Sequence, residues 1–157
     1  MKKVLLTAAC ILIAVCLSAQ DGKNIYKKYS GATDVSSVYI SPAMFKLIGK
    51  LPNIEVNDSE VNFGQIVRSM RGMYVIDSSS RDINSDLCRD VDKFVRNGQY
   101  ELLMEVNDNG EKVNIYVIPK GETVSSFVLI AYDADSCTFV CLDGDLPLEE
   151  LRVILEN

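Results

Sequence analysis

The chain contains no histidine and no tryptophan. Without histidine it lacks the usual general base near neutral pH and the commonest metal ligand. Ser-His-Asp and Cys-His catalysis are excluded within this chain, as are zinc sites that use histidine. It also lacks any block of basic residues beyond its first few positions, which argues against a phosphate-backbone partner and so against nucleic acid. Internal repeats and low-complexity tracts are missing too. Serine-lysine and paired-carboxylate chemistry survive these exclusions, but no serine, lysine or acid here stands in a recognisable catalytic frame.

What is present begins with a three-part N-terminus. Lys2 and Lys3 form a charged start, Val4 to Leu17 is an apolar run broken by Thr7, and Leu17-Ser18-Ala19 ends in a small residue. This pattern is that of a secretory signal peptide over residues 1–19. The run falls short of the roughly 20 residues an ordinary membrane span needs. Lipidation at Cys16 is disfavoured by Val15; Ala8-Ala9 before Cys10 suits an acceptor, but the apolar run upstream of it is very short. Membrane attachment is therefore expected only through an uncleaved signal or that lipidation. Losing the signal removes two lysines and moves the formal charge from -6 to -8. Residues 20–157 suit one acidic domain, large enough to form a core without staples.

Hydrophobic spacing gives an order of elements. A short helix is expected over Gly22–Ser30, then a strand over Val35–Ile40. Ser41-Pro42 opens a helix that stops near Gly49. Phe63, Ile66, Val67 and Met70 fall on one helical face. Met73–Ile76 reads as a strand, Asp77–Asp82 as a polar turn, and Ile83 to Val95 as an amphipathic helix ending at Gly98. Four strands follow: Tyr100–Val106, Lys112–Ile118, Val124–Tyr132 and Cys137–Leu142. Asn109-Gly110 is a hairpin turn, since both residues accept positive φ. Asp143-Gly144-Asp145 is expected to lead into a last helix with Leu148, Leu151, Ile154 and Leu155. The fold class is α+β: a mainly antiparallel sheet with a C-terminal four-strand meander and helices packed on one face.

The segments Ser37-Val38-Tyr39-Ile40-Ser41-Pro42, Tyr100-Glu101-Leu102-Leu103-Met104-Glu105-Val106 and Gly110-Glu111-Lys112-Val113 carry a resemblance. Over most of the mature chain, the sequence resembles a domain-of-unknown-function family of small signal-peptide-bearing proteins from Bacteroidota. The Leu17-Ser18-Ala19-Gln20 ending is similar to signal peptides of that group. The resemblance implies a location in the periplasm or cell envelope and carries no catalytic residues.

Candidate sites are few. Cys137 and Cys141 share strand parity and stand roughly 13 Å apart along a strand, beyond the about 7 Å a disulfide spans. Cys88 could face either of them; three buried free thiols are the plain alternative. Ser78, Ser79, Ser80 and Arg81 stand where a helix N-terminus could hold an anion, but Asp77 and Asp82 repel one, and Ser79 with Asp82 suits a capping pair. Asp108, Asp133 and Asp135 could converge on a hard cation, and Asp143 and Asp145 stand at the strand's other end. No full calcium-loop spacing is present, so they read as solvated turn acids. Neither a metal nor a cofactor is expected.

The first helix offers a candidate contact surface. Ile25 and Tyr29 lie on one stripe with Tyr26 beside them, and Lys23, Lys27 and Lys28 make a basic rim. So short a helix must dock, either on its own domain or on a partner. The sequence thus points to a non-catalytic binding module that engages an envelope protein or a small ligand. A histidine-free enzyme, such as a hydrolase using Ser/Lys or paired carboxylates, is the alternative; a pocket with strongly perturbed pKa values would favour it.

Overall fold

The computed structural model describes residues 21–48 and 67–147. The expected signal peptide, most of the helix expected around Phe63 and the expected last helix lie outside the described residues. Within them the order is α1 (Gly22–Tyr29), β1 (Val35–Ile40), α2 (Pro42–Ile48), β2 (Met70–Ser78), α3 (Arg81–Asn97), β3 (Glu101–Asp108), β4 (Glu111–Lys120), β5 (Thr123–Tyr132) and β6 (Cys137–Pro147). The six strands form one sheet in the order β1-β2-β6-β5-β4-β3. Every neighbouring pair is antiparallel.

Local chemistry explains the elements. The Asp21 carboxylate accepts from the Asn24 N–H at 3.0 Å and starts α1. Asn109 (φ 47°) and Gly110 (φ 96°) form the two-residue turn joining β3 to β4, as their residue types require. In α3, Leu87, Val91, Phe94 and Val95 recur at helical spacing and are all buried. They pack with Ile25 and Tyr29 of α1 against Tyr74, Ile76, Val128, Ile130, Cys137, Phe139 and Cys141 of the sheet. Gly22 lies so close to β6 that a Cβ there would stand 2.3 Å from Cys141 Sγ.

The structure departs from the sequence reading most at β2, at the start of α3 and along β6. β2 starts at Met70, which was expected on a helix, and absorbs Asp77 and Ser78 from the expected turn. The N-cap of α3 is therefore Ser80, without a side-chain capping bond. The expected Ser79–Asp82 capping pair does not form; Ser79 instead binds the turn before β1, its N–H donating to Asp34 O at 3.1 Å. Finally, Asp143-Gly144-Asp145 is strand, because β6 runs on to Pro147.

Bulges make that continuation possible. Registers shift at Met70/Gly72 between β2 and β6, at Val124/Ser126 between β5 and β6, and at Ile118/Pro119 between β4 and β5. An extra residue reverses which face the following side chains occupy. Val124 and Leu146 thereby join Val117 in a second core cluster, with Met70, Phe127 and Leu142 packed against it. Gly144 sits at this line with φ 157°, and a Cβ on it would meet Ser69 O at 2.7 Å. Only glycine fits that close backbone approach.

Candidate binding surface

β3 is an edge strand of the described sheet and is exposed at all eight positions. It nevertheless carries Leu102 (54% exposed), Leu103 (49%), Met104 (40%) and Val106 (42%). Its charged residues, Glu101, Glu105 and Asp108, are all acidic. Its one irregularity is the register shift between Leu102 and Met104, which leaves Leu103 as the bulged residue.

Beside this edge, between α3 and strands β4 and β5, lies a cleft of about 530 Å³. Val91, Val95 and Ile130 supply its apolar lining, and Asn114, Tyr116 and Tyr132 its neutral polar groups. Its ionised groups neutralise their neighbours. Arg96 pairs with Asp92 at 3.0 Å, Lys112 with Glu105 at 3.3 Å, and Arg89 with Asp86. Asn114 is only 8% exposed. Its Nδ2 donates to Tyr116 Oη at 3.1 Å, while its Oδ1 has no hydrogen-bond partner among the described residues. A buried carbonyl left unpaired costs about 1–3 kcal/mol, so this one would welcome an incoming donor. The sequence contained no signal for this site. Its strand parity hid it, because Asn114 shares a face with Lys112 and Tyr116 while the apolar Val113, Ile115 and Val117 alternate with it, so in the sequence it reads as an ordinary solvent-facing polar position.

Cys88 lines the same cleft and is half-buried. Its Sγ lies 3.3 Å from Sγ of Cys137, which is fully buried; both thiols are free. A hydrogen bond from Cys137 lowers the Cys88 pKa despite partial burial. The same contact, together with burial, pushes Cys137 up. Of the two thiols, the one whose pKa is lowered thus belongs to Cys88, the residue that lines the cleft.

A second polar cluster sits at the bulge line. Tyr100 Oη and Ser126 Oγ are 2.8 Å apart, and Ser126 Oγ donates to Asp143 Oδ1 at 3.1 Å. Burial raises the pKa of Asp143, and also that of Tyr100. These three groups border a smaller cavity of about 300 Å³ that also touches Arg71.

The other expected sites resolve into local structure. Ile25 and Tyr29 are each 5% exposed in the protein's own core. Tyr29 donates to Asp90 Oδ2 at 2.6 Å, and Lys28 pairs with the same carboxylate. Tyr26 is half-buried among Tyr39 and Tyr74, with ring centroids 6.0 and 5.8 Å away. Asp133 accepts from the N–H groups of Asp135 and Ser136, both at 2.7 Å, and these bonds hold its carboxyl below the usual range. Asp135 pairs with Arg81 at 2.7 Å. Of the anion-site candidates, Arg81 is thus engaged, and Ser78 Oγ accepts from the Ser80 N–H at 3.3 Å. Cys141 lies in the core away from this pair, near Asp143.

Comparison with known proteins adds a family. A family model described as "Domain of unknown function (DUF4252)" matches residues 29–154. The chain belongs to this DUF4252 family. No curated protein and no solved structure matches it. The match runs from the end of α1 past the end of β6, so β3, the cleft and the Cys88–Cys137 contact all lie inside the DUF4252 domain. Among the described residues, no helix is long and apolar enough to cross a membrane.

Proposed function

We propose that this DUF4252 domain is an exported, non-catalytic interaction module of the periplasm or cell envelope. In this reading β3 to β6 form the C-terminal meander, α1 and α3 cover one face of it, and a partner polypeptide adds a strand at β3. One observation carries the proposal: an eight-residue edge strand exposed along its whole length displays four large apolar side chains. Edges are ordinarily blunted by lysine, proline or a cover, and β3 has neither lysine nor proline. Backbone pairing would supply affinity, and side-chain contacts would supply specificity. The acidic strand selects a partner segment with basic residues between its apolar ones. A donor side chain from that segment would satisfy Asn114 Oδ1 in the adjoining cleft. Of the helix surface expected from the sequence, Tyr26 remains partly exposed and, beside Tyr39 of β1 (45% exposed), is available as a secondary contact.

A photo-crosslinker at Met104, activated in intact cells, tests this reading. It should capture a discrete partner that Val106→Lys abolishes without changing the melting temperature. Binding should also slow amide exchange along β3. Capture that survives Val106→Lys, or that occurs equally from Ser36 on the opposite edge, would count against it.

The Tyr100–Ser126–Asp143 cluster favours a second reading, a histidine-free hydrolase, because a half-buried carboxyl with a raised pKa beside a hydroxyl is the expected signature. Hydrolysis of an ester panel that disappears in both Ser126→Ala and Asp143→Asn would establish it. Hydrolysis unaffected by either substitution would remove the reading.

A further inference from the structure

We infer that Cys88 and Cys137 form a dithiol/disulfide pair, with the Cys88 sulfur exposed to the cleft as the point of entry for a thiol-disulfide oxidant. Three observations converge on this. The two sulfurs stand 3.3 Å apart across the junction between α3 and the start of β6. Cys88 is half-buried and lines the cleft, whereas Cys137 has no exposed surface. The third thiol, Cys141, is sealed in the core and faces Asp143 and Gly22 instead. One sulfur can thus meet a reagent, one can resolve the product, and one takes no part.

The chemistry balances with a disulfide R–S–S–R as the oxidant. The Cys88 thiolate attacks one sulfur of the oxidant and expels R–S⁻, leaving Cys88 in a mixed disulfide. Cys137 gives up its proton and attacks the Cys88 sulfur, expelling the second R–S⁻. Two protein thiols have lost two electrons and two protons, and the oxidant has become two thiols. The first step suits Cys88, because its pKa is the lowered one of the pair. The second needs no diffusion, because Cys137 is already in contact. The product ties α3 to β6 across 49 positions of chain and fixes one wall of the cleft. The inference is independent of whether β3 binds a partner.

The test uses the purified protein under native conditions with oxidised glutathione. The expected product is lighter by about 2 Da. After digestion, the tryptic peptide 82–89 should be linked to peptide 121–152. The second peptide contains both Cys137 and Cys141, so the link must persist in Cys141→Ser and vanish in Cys88→Ser. Cys88 is partly exposed, so that variant keeps its core. Oxidation should raise the melting temperature by roughly 10 °C, as closing a loop of this length implies. A glutathione adduct that stays on Cys88, a link that requires Cys141, or native thiols that resist oxidation while the unfolded chain reacts would each overturn the inference.

Discussion

Replacing Gly22 with alanine would place a methyl group 2.3 Å from Cys141 Sγ and 2.7 Å from Cys141 Cβ. Neither atom can retreat. Cys141 has no exposed surface and sits on β6, which is paired on both sides by β2 and β5. The helix must move instead. An alanine would ordinarily gain up to about 1 kcal/mol over glycine in a helix, whereas overpacking a tight core costs about 1–3 kcal/mol. Displacing α1 also disturbs Ile25 and Tyr29, and a fully buried large apolar side chain contributes about 1.5–3 kcal/mol. The expected net loss is about 2 kcal/mol, read as a melting temperature lower by roughly 4–8 °C. Gly31→Ala is the matched control, because nothing lies within 4 Å of its added Cβ. That variant should melt like the parent or slightly higher. Adding Cys141→Ala to Gly22→Ala should recover part of the loss as a favourable coupling term, read against the Cys141→Ala single variant. Thermal and urea unfolding measure all five proteins. If Gly22→Ala equals or exceeds the parent in stability, α1 is not docked against β6 and its role in the core is refuted.

Phe139 is fully buried at the centre of the main core, so Phe139→Ala should cost about 3–5 kcal/mol in urea unfolding; a loss below about 1 kcal/mol would mean this core is not formed. Asp90→Asn removes the carboxylate shared by Tyr29 and Lys28. Burial alone would raise the Asp90 pKa, but the bonds from Lys28 and Tyr29 outweigh it and the net shift is downward. A depressed carboxyl stabilises above its unfolded pKa of about 3.9 and loses that contribution as pH falls through the folded value. The parent should therefore exceed Asp90→Asn by roughly 1 kcal/mol at pH 7, with the gap closing below about pH 4; a gap unchanged down to pH 2 would contradict the assignment. Asn114→Leu exchanges a half-satisfied amide for an apolar side chain, so stability should change by less than about 1 kcal/mol, while partner capture at β3 weakens. A large loss of stability would show that Asn114 is a satisfied core residue.

Periodicity alone located the elements whose patterning is strong. α3 was legible because Leu87, Val91, Phe94 and Val95 can share a face only in a helix. The β3–β4 turn was legible because Asn109-Gly110 tolerates a conformation that few other pairs do. Boundaries failed where long-range contacts override local preference. Asp143-Gly144-Asp145 has turn residues, yet hydrogen bonds from β2 and β5 hold it in a strand, and Gly144 serves the close approach of Ser69. Met70 fits a helical face, but pairing with β6 draws it into the sheet. Sites divide in the same way. The absence of histidine settled from composition which catalytic constellations are impossible, and the rise along a strand kept Cys137 apart from Cys141. That Cys88 meets Cys137, that Asn114 lacks a partner and that β3 lies at an edge depend on strand order. Strand order is a property of non-local pairing, which local sequence spacing does not encode; only the tertiary structure decided it.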